Sequence, residues 1–315
     1  MISLINQQTL LRKASCVAFS RGSDSVLVGD KSGDVFRLQV EGGAPCLLLG
    51  HLSQLLDLAL SHGGDLVLTA DRDEKIRVSN FPNAYNILNF CLGHTEFVTC
   101  LCLAEEKDHV LSGSGDGTVR LWNYRQGLQL VCQDVTEQVR QDRETQQETE
   151  KNGVKRVEPP SQPAVVKIRT AGHVLVVQVE NCQNLLIYHV TGKTITFHSY
   201  LELDSCLLDF DSCGDQLVVL RKSESSAVLE TYQLGKEHVT KNKTVSLEGH
   251  EKFFQSIKNF EDDGMRNLHK RWFDNMKDYL ERKEARLEKE KSKSSSASCA
   301  VNLSPVPIKK QKFET

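Results

Sequence analysis

The residues of this chain that could do chemistry include a glycine-rich segment at 113–117, which reads Gly-Ser-Gly-Asp-Gly. A loop of this composition can cradle a phosphate group. Its spacing differs from the dinucleotide-binding fingerprint, which also needs a strand followed by a helix, whereas this segment joins two predicted strands. The sequence contains no Gly-x-x-x-x-Gly-Lys-Ser/Thr loop, no Gly-x-Ser-x-Gly elbow and no His-Glu-x-x-His pair. Residues 113–117 therefore predict a hairpin turn, and no catalytic residue is predicted.

Ten cysteines and ten histidines are the other candidate reactive groups. The cysteines form no Cys-x-x-Cys pair, and Cys16, Cys100, Cys102 and Cys206 lie in apolar segments. A free cysteine in such a segment behaves as a small buried hydrophobe. The histidines are scattered without the spacing of a zinc site, so neither a metal nor a cofactor is predicted on this chain.

The elements that position these groups are repeated strands. Residues 30–38, 71–79 and 114–122 align with one another at offsets of 41 and 43 residues, and each is a polar turn followed by an alternating strand. Gly-His pairs at 50–51 and 93–94 also recur 43 residues apart. The repeated unit is therefore predicted to contain four strands.

This pattern resembles the blades of WD-repeat propellers. The third unit fits best, with His94, Ser112, Asp116 and Trp122 at the places where that family forms a hydrogen-bond chain inside a blade. The corresponding residues of the second unit are His51, Thr69 and Asp73, with Ser79 in place of the tryptophan. These residues are predicted to be structural, because each stranded polar group in a sheet interior would cost about 1–3 kcal/mol.

The prediction for the whole chain is an all-β WD-repeat β-propeller, with about five blades of an expected seven, a C-terminal α-helix and a disordered tail. Residues 1–249 form the blades, and the polar segment 134–163 is predicted to be a solvated loop inserted among them. Residues 250–293 form the helical segment and 294–315 the disordered tail.

Charge and composition exclude some classes of protein. The formal charge is −3, so the molecule as a whole is not a basic nucleic-acid binder and any RNA contact must be local. The start of the sequence has no secretory signal, and the longest apolar runs are far shorter than the roughly 18 residues of a membrane span. An intracellular protein with no membrane contact is expected.

Three segments closely resemble the WD-repeat non-catalytic subunit of the tRNA (guanine-N7)-methyltransferase. They are residues 67–79, 91–98 and 112–122, and the match also takes in residues 28–35, 50–53, 273–280, 283–284 and 286–287. Members of that family carry more sequence before the matching segment, enough for about two blades. The resemblance therefore implies that this chain lacks the N-terminal blades, as a truncated product or one started downstream.

The resemblance implies a scaffold without catalytic activity. Family members bind a separate catalytic subunit that holds S-adenosylmethionine, and the heterodimer methylates a guanosine in the variable loop of tRNA. The propeller holds the catalytic subunit in its active form and helps position the tRNA. The family's charged docking turn matches Arg72, Glu74, Lys75 and Arg77 here.

The resemblance also extends to the C-terminal helix, which lies near the tRNA and the partner in the family. On this basis Trp272, Lys283, Arg286 and Lys289 are candidate contacts with tRNA or partner. The basic cluster at 309–312 is a weak nuclear signal. A nuclear location is expected, and cytoplasmic presence in addition to it remains open.

A different kind of adaptor remains open as the alternative function. Residues 122–125 read Trp-Asn-Tyr-Arg and resemble the Trp-Asp-x-Arg motif of propellers that serve as substrate receptors of cullin-type ubiquitin ligases. The same residues are also explained as the end of a blade strand and its turn, and a four-residue match has a high false-positive rate.

Overall fold

The computed structural model describes residues 7–149, 162–222, 226–235 and 238–247, together with Met265, Leu268, His269 and Lys283. Within these residues the chain forms twenty strands and one helix of several turns, α1. The strands make five antiparallel sheets of four consecutive strands each. This arrangement is the repeated unit that the sequence predicted.

The strands follow one another in chain order. The first sheet contains β1 (Ala14–Phe19), β2 (Ser25–Asp30), β3 (Asp34–Gln39) and β4 (Cys46–Gly50), and the second contains β5 (Leu55–Leu60), β6 (Leu66–Asp71), β7 (Lys75–Asn80) and β8 (Ile87–Leu92). The third contains β9 (Val98–Leu103), β10 (His109–Ser114), β11 (Thr118–Asn123) and β12 (Leu128–Asp134). The fourth contains β13 (Val165–Ala171), β14 (Val174–Val179), β15 (Leu185–Thr191) and β16 (Thr194–Leu201), and the fifth contains β17 (Leu207–Cys213), β18 (Gln216–Lys222), β19 (Ala227–Leu234) and β20 (Val239–Ser246).

The core lies between successive sheets. The first strand of each sheet packs against the first strand of the next. The second strands of the first four sheets are almost wholly buried, whereas β18 in the fifth sheet is only partly buried. Four apolar clusters fill the spaces between neighbouring sheets. Close packing in these spaces limits side-chain size: a Cβ on Gly113 would lie 2.5 Å from Val165 Cγ1 in the fourth sheet.

The hairpin between the second and third strands of the first two sheets is built by an aspartate. The Asp30 carboxylate accepts the N–H groups of Ser32 and Asp34 at 2.8 and 3.1 Å. Asp71 does the same for Asp73 and Lys75 at 2.9 and 3.2 Å. An aspartate side chain that bonds its own backbone two residues on is a common turn device, so these turns have a defined shape.

The prediction of a solvated loop at 134–163 was wrong for its first half, which forms α1 (Thr136–Thr149). The Asp134 carboxylate accepts Thr136 N–H at 2.7 Å at the start of the helix. Val139 is buried in the cluster between the third and fourth sheets. Asp142 is also buried and accepts a hydrogen bond from Asn184 at 2.7 Å. Tyr200 OH donates to the Gln138 carbonyl at 2.9 Å, and Arg143 donates to the carbonyls of Glu180 and Asn181. Few of the contacts that dock α1 are apolar, so the polar composition of this segment did not reveal them.

The cysteines are free thiols in the described ranges, and Cys100 is buried while Cys16 and Cys102 are half-buried. Burial raises the pKa of Cys100 to about 12, so this thiol is unreactive at neutral pH. The prediction of a core position was wrong for Cys206, which is exposed at the start of the fifth sheet.

The chain divides into two compact units, Met1–His269 and Lys270–Thr315. The first unit includes Met265, Leu268 and His269, which the sequence analysis assigned to the helical segment. In the second unit only Lys283 is described, and it is helical and exposed. The rest of the predicted C-terminal helix and the predicted tail lie outside the described residues. No helix in the described ranges is long and apolar enough to span a bilayer.

Candidate partner-docking surface

A chain of four buried side chains crosses the third sheet. Trp122 Nε1 donates to Ser112 Oγ at 2.8 Å, and His94 Nε2 lies 2.7 Å from the same hydroxyl. His94 Nδ1 lies 2.9 Å from Asp116 Oδ2. Because a carboxylate can only accept, Nδ1 carries the proton, and Nε2 then accepts from Ser112. The four residues that the sequence analysis singled out in this blade are thus joined in one direction, from indole to carboxylate.

The electrostatics of this chain suit a structural role. Burial lowers the pKa of His94, so its imidazole is neutral at pH 7. Burial alone would raise the pKa of Asp116, but the hydrogen bond from His94 and those from Thr118 and the Thr95 N–H hold it below its usual range. All of these polar groups are hydrogen-bonded within the sheet, and the bonds therefore stabilise the blade.

In the second sheet the structure corrects one prediction. His51 Nδ1 bonds Asp71 Oδ2 at 3.0 Å and its Nε2 bonds Thr69 Oγ1 at 2.8 Å. Asp73 takes no part in this chain and is exposed. In the second sheet the carboxylate that bonds the histidine belongs to Asp71, the last residue of β6. In the third sheet the last residue of β10 is Ser114, and the carboxylate belongs to Asp116, two residues later. The alignment of Asp71 with Asp30 of the first repeat was the signal for this difference, since both aspartates build their turns in the same way.

The predicted docking residues lie on and beside the β6–β7 turn. Glu74 has a positive φ of 70°, which is the left-handed conformation that non-glycine residues adopt rarely. Lys75 follows it and is exposed at the start of β7. Because Asp71 bonds the N–H groups on both sides of Glu74, the turn presents Lys75 to solvent in a defined position.

The two arginines of this group have partners within the chain. Arg72 Nε donates to the Leu268 carbonyl at 3.1 Å. Arg77 donates to Ser79 Oγ at 2.9 Å and to the carbonyls of Gly50 and Ala84 at 3.0 Å each. Burial lowers the pKa of Arg77, although it remains charged at neutral pH. Arg77 therefore ties the end of β4 to β7 and to the loop before β8.

Ser79 lies in the second sheet at the position that Trp122 holds in the third. It is buried, and its hydroxyl accepts the hydrogen bond from Arg77. Thr69, which holds the place of Ser112, has no indole donor here; its hydroxyl lies 2.8 Å from His51 Nε2 and 3.4 Å from the Arg77 carbonyl oxygen.

The remaining candidate contacts are at the C-terminus. Lys283 is exposed on a helix. Trp272, Arg286 and Lys289 lie outside the described residues.

The structure also shows the positions of residues 122–125, which resemble the Trp-Asp-x-Arg motif of ubiquitin-ligase receptors. Arg125 donates to Asp108 at 2.7 Å and to Asp65 at 2.6 Å, and Trp122 and Tyr124 are buried. Asp65 belongs to the β5–β6 turn of the second sheet, so Arg125 joins two sheets. This contact explains Arg125 without a ligase.

The described part of the chain brings no three His, Cys, Asp or Glu side chains together as a metal site.

The most extensive ionic cluster of the described residues, which the sequence did not predict, is in the fifth sheet. Glu230 is buried and paired with Arg221 at 2.6 and 2.7 Å, with Tyr232 OH at 2.7 Å and with Lys241. The hydrogen bonds from Arg221 lower the pKa of Glu230 to about 2. Because these residues come from different strands at irregular spacing, no local sequence signal marks the cluster.

Comparison of the fold with solved structures supports the propeller class. The structure of U3-55K superposes with a TM-score of 0.52 over 74% of this chain and 64% of that chain, at 14% identity. A chain of the mitotic checkpoint complex crystal structure gives 0.56 over 77% of this chain and 68% of that chain, also at 14% identity. At this identity the likeness shows the fold alone.

Comparison of the sequence is more specific. Residues 44–244 match the family described as the tRNA methyltransferase TRM82 WD40 domain. The Danio rerio protein named tRNA (guanine-N(7)-)-methyltransferase non-catalytic subunit wdr4 is 36% identical over 334 residues, covering 99% of this chain and 75% of the relative. The Drosophila ananassae subunit wuho, with the same designation, is 31% identical over 305 residues, covering 91% and 69%. The chain therefore belongs to the family of WD-repeat non-catalytic subunits of the tRNA (guanine-N7)-methyltransferase.

Proposed function

We propose that this chain is the scaffold of a heterodimeric tRNA (guanine-N7)-methyltransferase and that the β6–β7 turn is where the catalytic subunit docks. The observation that carries the docking site is the rigid presentation of Lys75. Asp71 holds the backbone on either side of Glu74, and Lys75 is exposed beside it. A turn whose backbone is ordered before binding loses little backbone entropy on complex formation.

The four predicted docking residues divide into two roles in this proposal. Lys75, which is exposed, meets a complementary charge of the catalytic subunit and sets the orientation of the complex, and Glu74 shapes the turn through its positive φ of 70°. Arg72 and Arg77 position the turn, because their guanidinium groups already bond Leu268 and the carbonyls of Gly50 and Ala84. Replacement of these arginines would thus affect docking through the shape of the turn.

The catalytic subunit is expected to hold S-adenosylmethionine, and this chain to help position the variable loop of tRNA. The scaffold role is supported by the histidines of the second and third sheets, which are occupied in intrablade hydrogen bonds. The net charge of −3 favours local RNA contacts over a broad basic surface, and Lys283 is a described candidate. A nuclear location, suggested by the basic cluster at 309–312, is part of the same proposal.

The test is Lys75→Glu, measured by the affinity of the purified chain for the catalytic subunit and by tRNA methylation in the mixture. We expect at least about a tenfold loss of affinity, because one attraction becomes a repulsion at the interface. Lys31→Glu is the matched control, since Lys31 is exposed in the corresponding turn of the first sheet. Equal affinity for the two variants would exclude the turn as the docking site. Full methylation by the catalytic subunit alone would exclude the scaffold role.

A further inference from the structure

The outer strand of the second sheet, β8, exposes an unusual number of large apolar side chains. Ile87, Leu88, Phe90 and Leu92 are 42%, 45%, 37% and 62% exposed, and Tyr85 in the preceding loop is exposed as well. By contrast, the outer strand of the fifth sheet, β20, exposes mainly Thr, Lys and Asn. Polar and charged residues are the usual protection of an edge strand against unwanted association. β8 lacks this protection.

Three of these side chains lie on the same face as the docking residues. Leu92 pairs with Lys75, Phe90 with Arg77 and Ile87 with Ser79. Residues directly opposite in an antiparallel pair point to the same side of the sheet. We call Ile87, Phe90 and Leu92 the apolar strip. It runs from the exposed Lys75 along the length of β8.

The apolar strip is separate from the core. Cys91, between two strip residues, is buried in the cluster of the second and third sheets together with Trp122. The side of β8 that carries Cys91 is therefore covered by the core, whereas the side that carries the apolar strip is exposed. Period-two alternation with a polar outer side is the ordinary pattern for an outer strand, so the exposed residues are not required to build the sheet.

The side chains of the strip are more available to a partner than the backbone edge of β8. Asn89 Nδ2 donates to the Arg125 carbonyl at 3.3 Å, and Gly127 packs so closely that a Cβ there would lie 2.6 Å from the Phe90 carbonyl oxygen. The turn between β11 and β12 thus occupies part of this edge. Addition of a partner strand along β8 is less suitable than contact with its exposed face.

We infer that the apolar strip is the second half of the docking surface, and that it binds an apolar ridge of the catalytic subunit that has a carboxylate at one end. This inference rests on the proposed docking role of Lys75. The carboxylate meets Lys75, and the ridge covers Leu92, Phe90 and Ile87 in that order. The occupant follows from continuity, because the Lys75–Leu92 pair joins the charged turn to the strip without a gap. Burial of these apolar side chains removes their surface from water and so favours the complex.

The inference is tested with the double variant Phe90→Gln/Leu92→Gln, by its affinity for the catalytic subunit at low and high salt. We expect a loss of about tenfold or more at both salt concentrations, since apolar contacts are not screened. Lys75→Glu should lose affinity mainly at low salt. The matched control is Leu128→Gln, because Leu128 is 53% exposed on the outer strand of the third sheet. Thermal unfolding of each variant alone shows whether the sheets are intact.

The outcomes separate this inference from the proposed function. If Lys75→Glu weakens the complex and the double variant binds as tightly as Leu128→Gln, the strip inference is overturned and the docking turn stands. If the unaltered chain fails to bind the catalytic subunit, the proposed function itself fails. If sedimentation shows that the unaltered chain self-associates and that the double variant is monomeric, the strip binds a second copy and the inference is also overturned.

Discussion

The Asp71 carboxylate lies 3.0 Å from the imidazole of His51, with Oδ2 accepting from Nδ1, and its other oxygen holds the backbone of the β6–β7 turn. One side chain thus connects the interior of the second sheet to the surface that we propose as the docking site. The adjacent Asp73 makes no contribution to this chain and is exposed.

Asp71→Ala should destabilise the protein by about 2–3 kcal/mol, because it leaves His51 and two backbone N–H groups without their acceptor. Asp73→Ala is the matched control and should stay within about 0.5 kcal/mol of the parent chain, as exposed substitutions generally do. Urea unfolding measures both values. A larger effect from Asp73 would contradict the assignment of Asp71 to the buried chain.

Asp57 should make stability depend on pH in a direction unusual for a carboxylate. It accepts the Leu101 N–H of the neighbouring sheet at 2.7 Å, and burial raises its pKa to about 6. The folded state therefore binds this proton more tightly than the unfolded state. The contribution of Asp57 is fully present below about pH 4 and declines as pH rises through 6.

Comparison with Asp57→Asn isolates this effect from the other carboxylates. Between pH 4.5 and 7.5 the cost of the substitution should be largest at pH 4.5 and should fall by roughly 2 kcal/mol by pH 7.5, as a pKa raised by about two units implies. Free energies of unfolding across this range provide the measurement. Parallel pH profiles for the two proteins would exclude a raised pKa.

Asp142→Ala should weaken the attachment of α1 to the fourth sheet without unfolding the sheets. Asp142 is buried and bonds Asn184 at 2.7 Å and Cys182 at 3.2 Å. We expect a loss of about 1–3 kcal/mol in the local stability of the helix, seen as faster amide hydrogen exchange in α1. Glu144→Ala, at an exposed position of the same helix, should leave exchange of the first turns almost unchanged. Equal exchange in both variants would show that Val139 and the hydrogen bonds of Gln138 and Arg143 hold the helix without Asp142.

Arg125→Ala should reduce stability by about 0.5–1 kcal/mol, since its ion pairs with Asp65 and Asp108 are partly exposed. Arg125→Lys keeps the charge but loses the fork that reaches both carboxylates, and should be nearly as destabilising. Capture of a ubiquitin ligase is expected to be absent for the unaltered chain. Ligase binding that disappears in both variants would restore the alternative adaptor function.

The sequence by itself determined the repeated four-strand unit, its strands and the buried chain of the third sheet. The turn, the alternating strand and the Gly-His pair recur locally, and backbone geometry and polar satisfaction act over the same short distances. The family followed from the same segments. The likeness reaches Arg72, Glu74, Lys75 and Arg77 as a group, but a likeness in sequence does not distinguish an exposed charge from one that is held internally.

Only the tertiary structure decided which residue of each turn serves the interior and which faces solvent. Asp71 replaces Asp73 because the β6–β7 turn folds its carboxylate onto a histidine twenty residues earlier. Arg77 is a tie between sheets, Lys75 is exposed, and α1 is a packed helix because Val139 and Asp142 meet partners in the next sheet. The residues of the apolar strip on β8 are recognisably apolar in the sequence, but the sequence does not show whether another sheet covers them. Burial and pairing depend on which sheets become neighbours, and that long-range choice is absent from any local pattern.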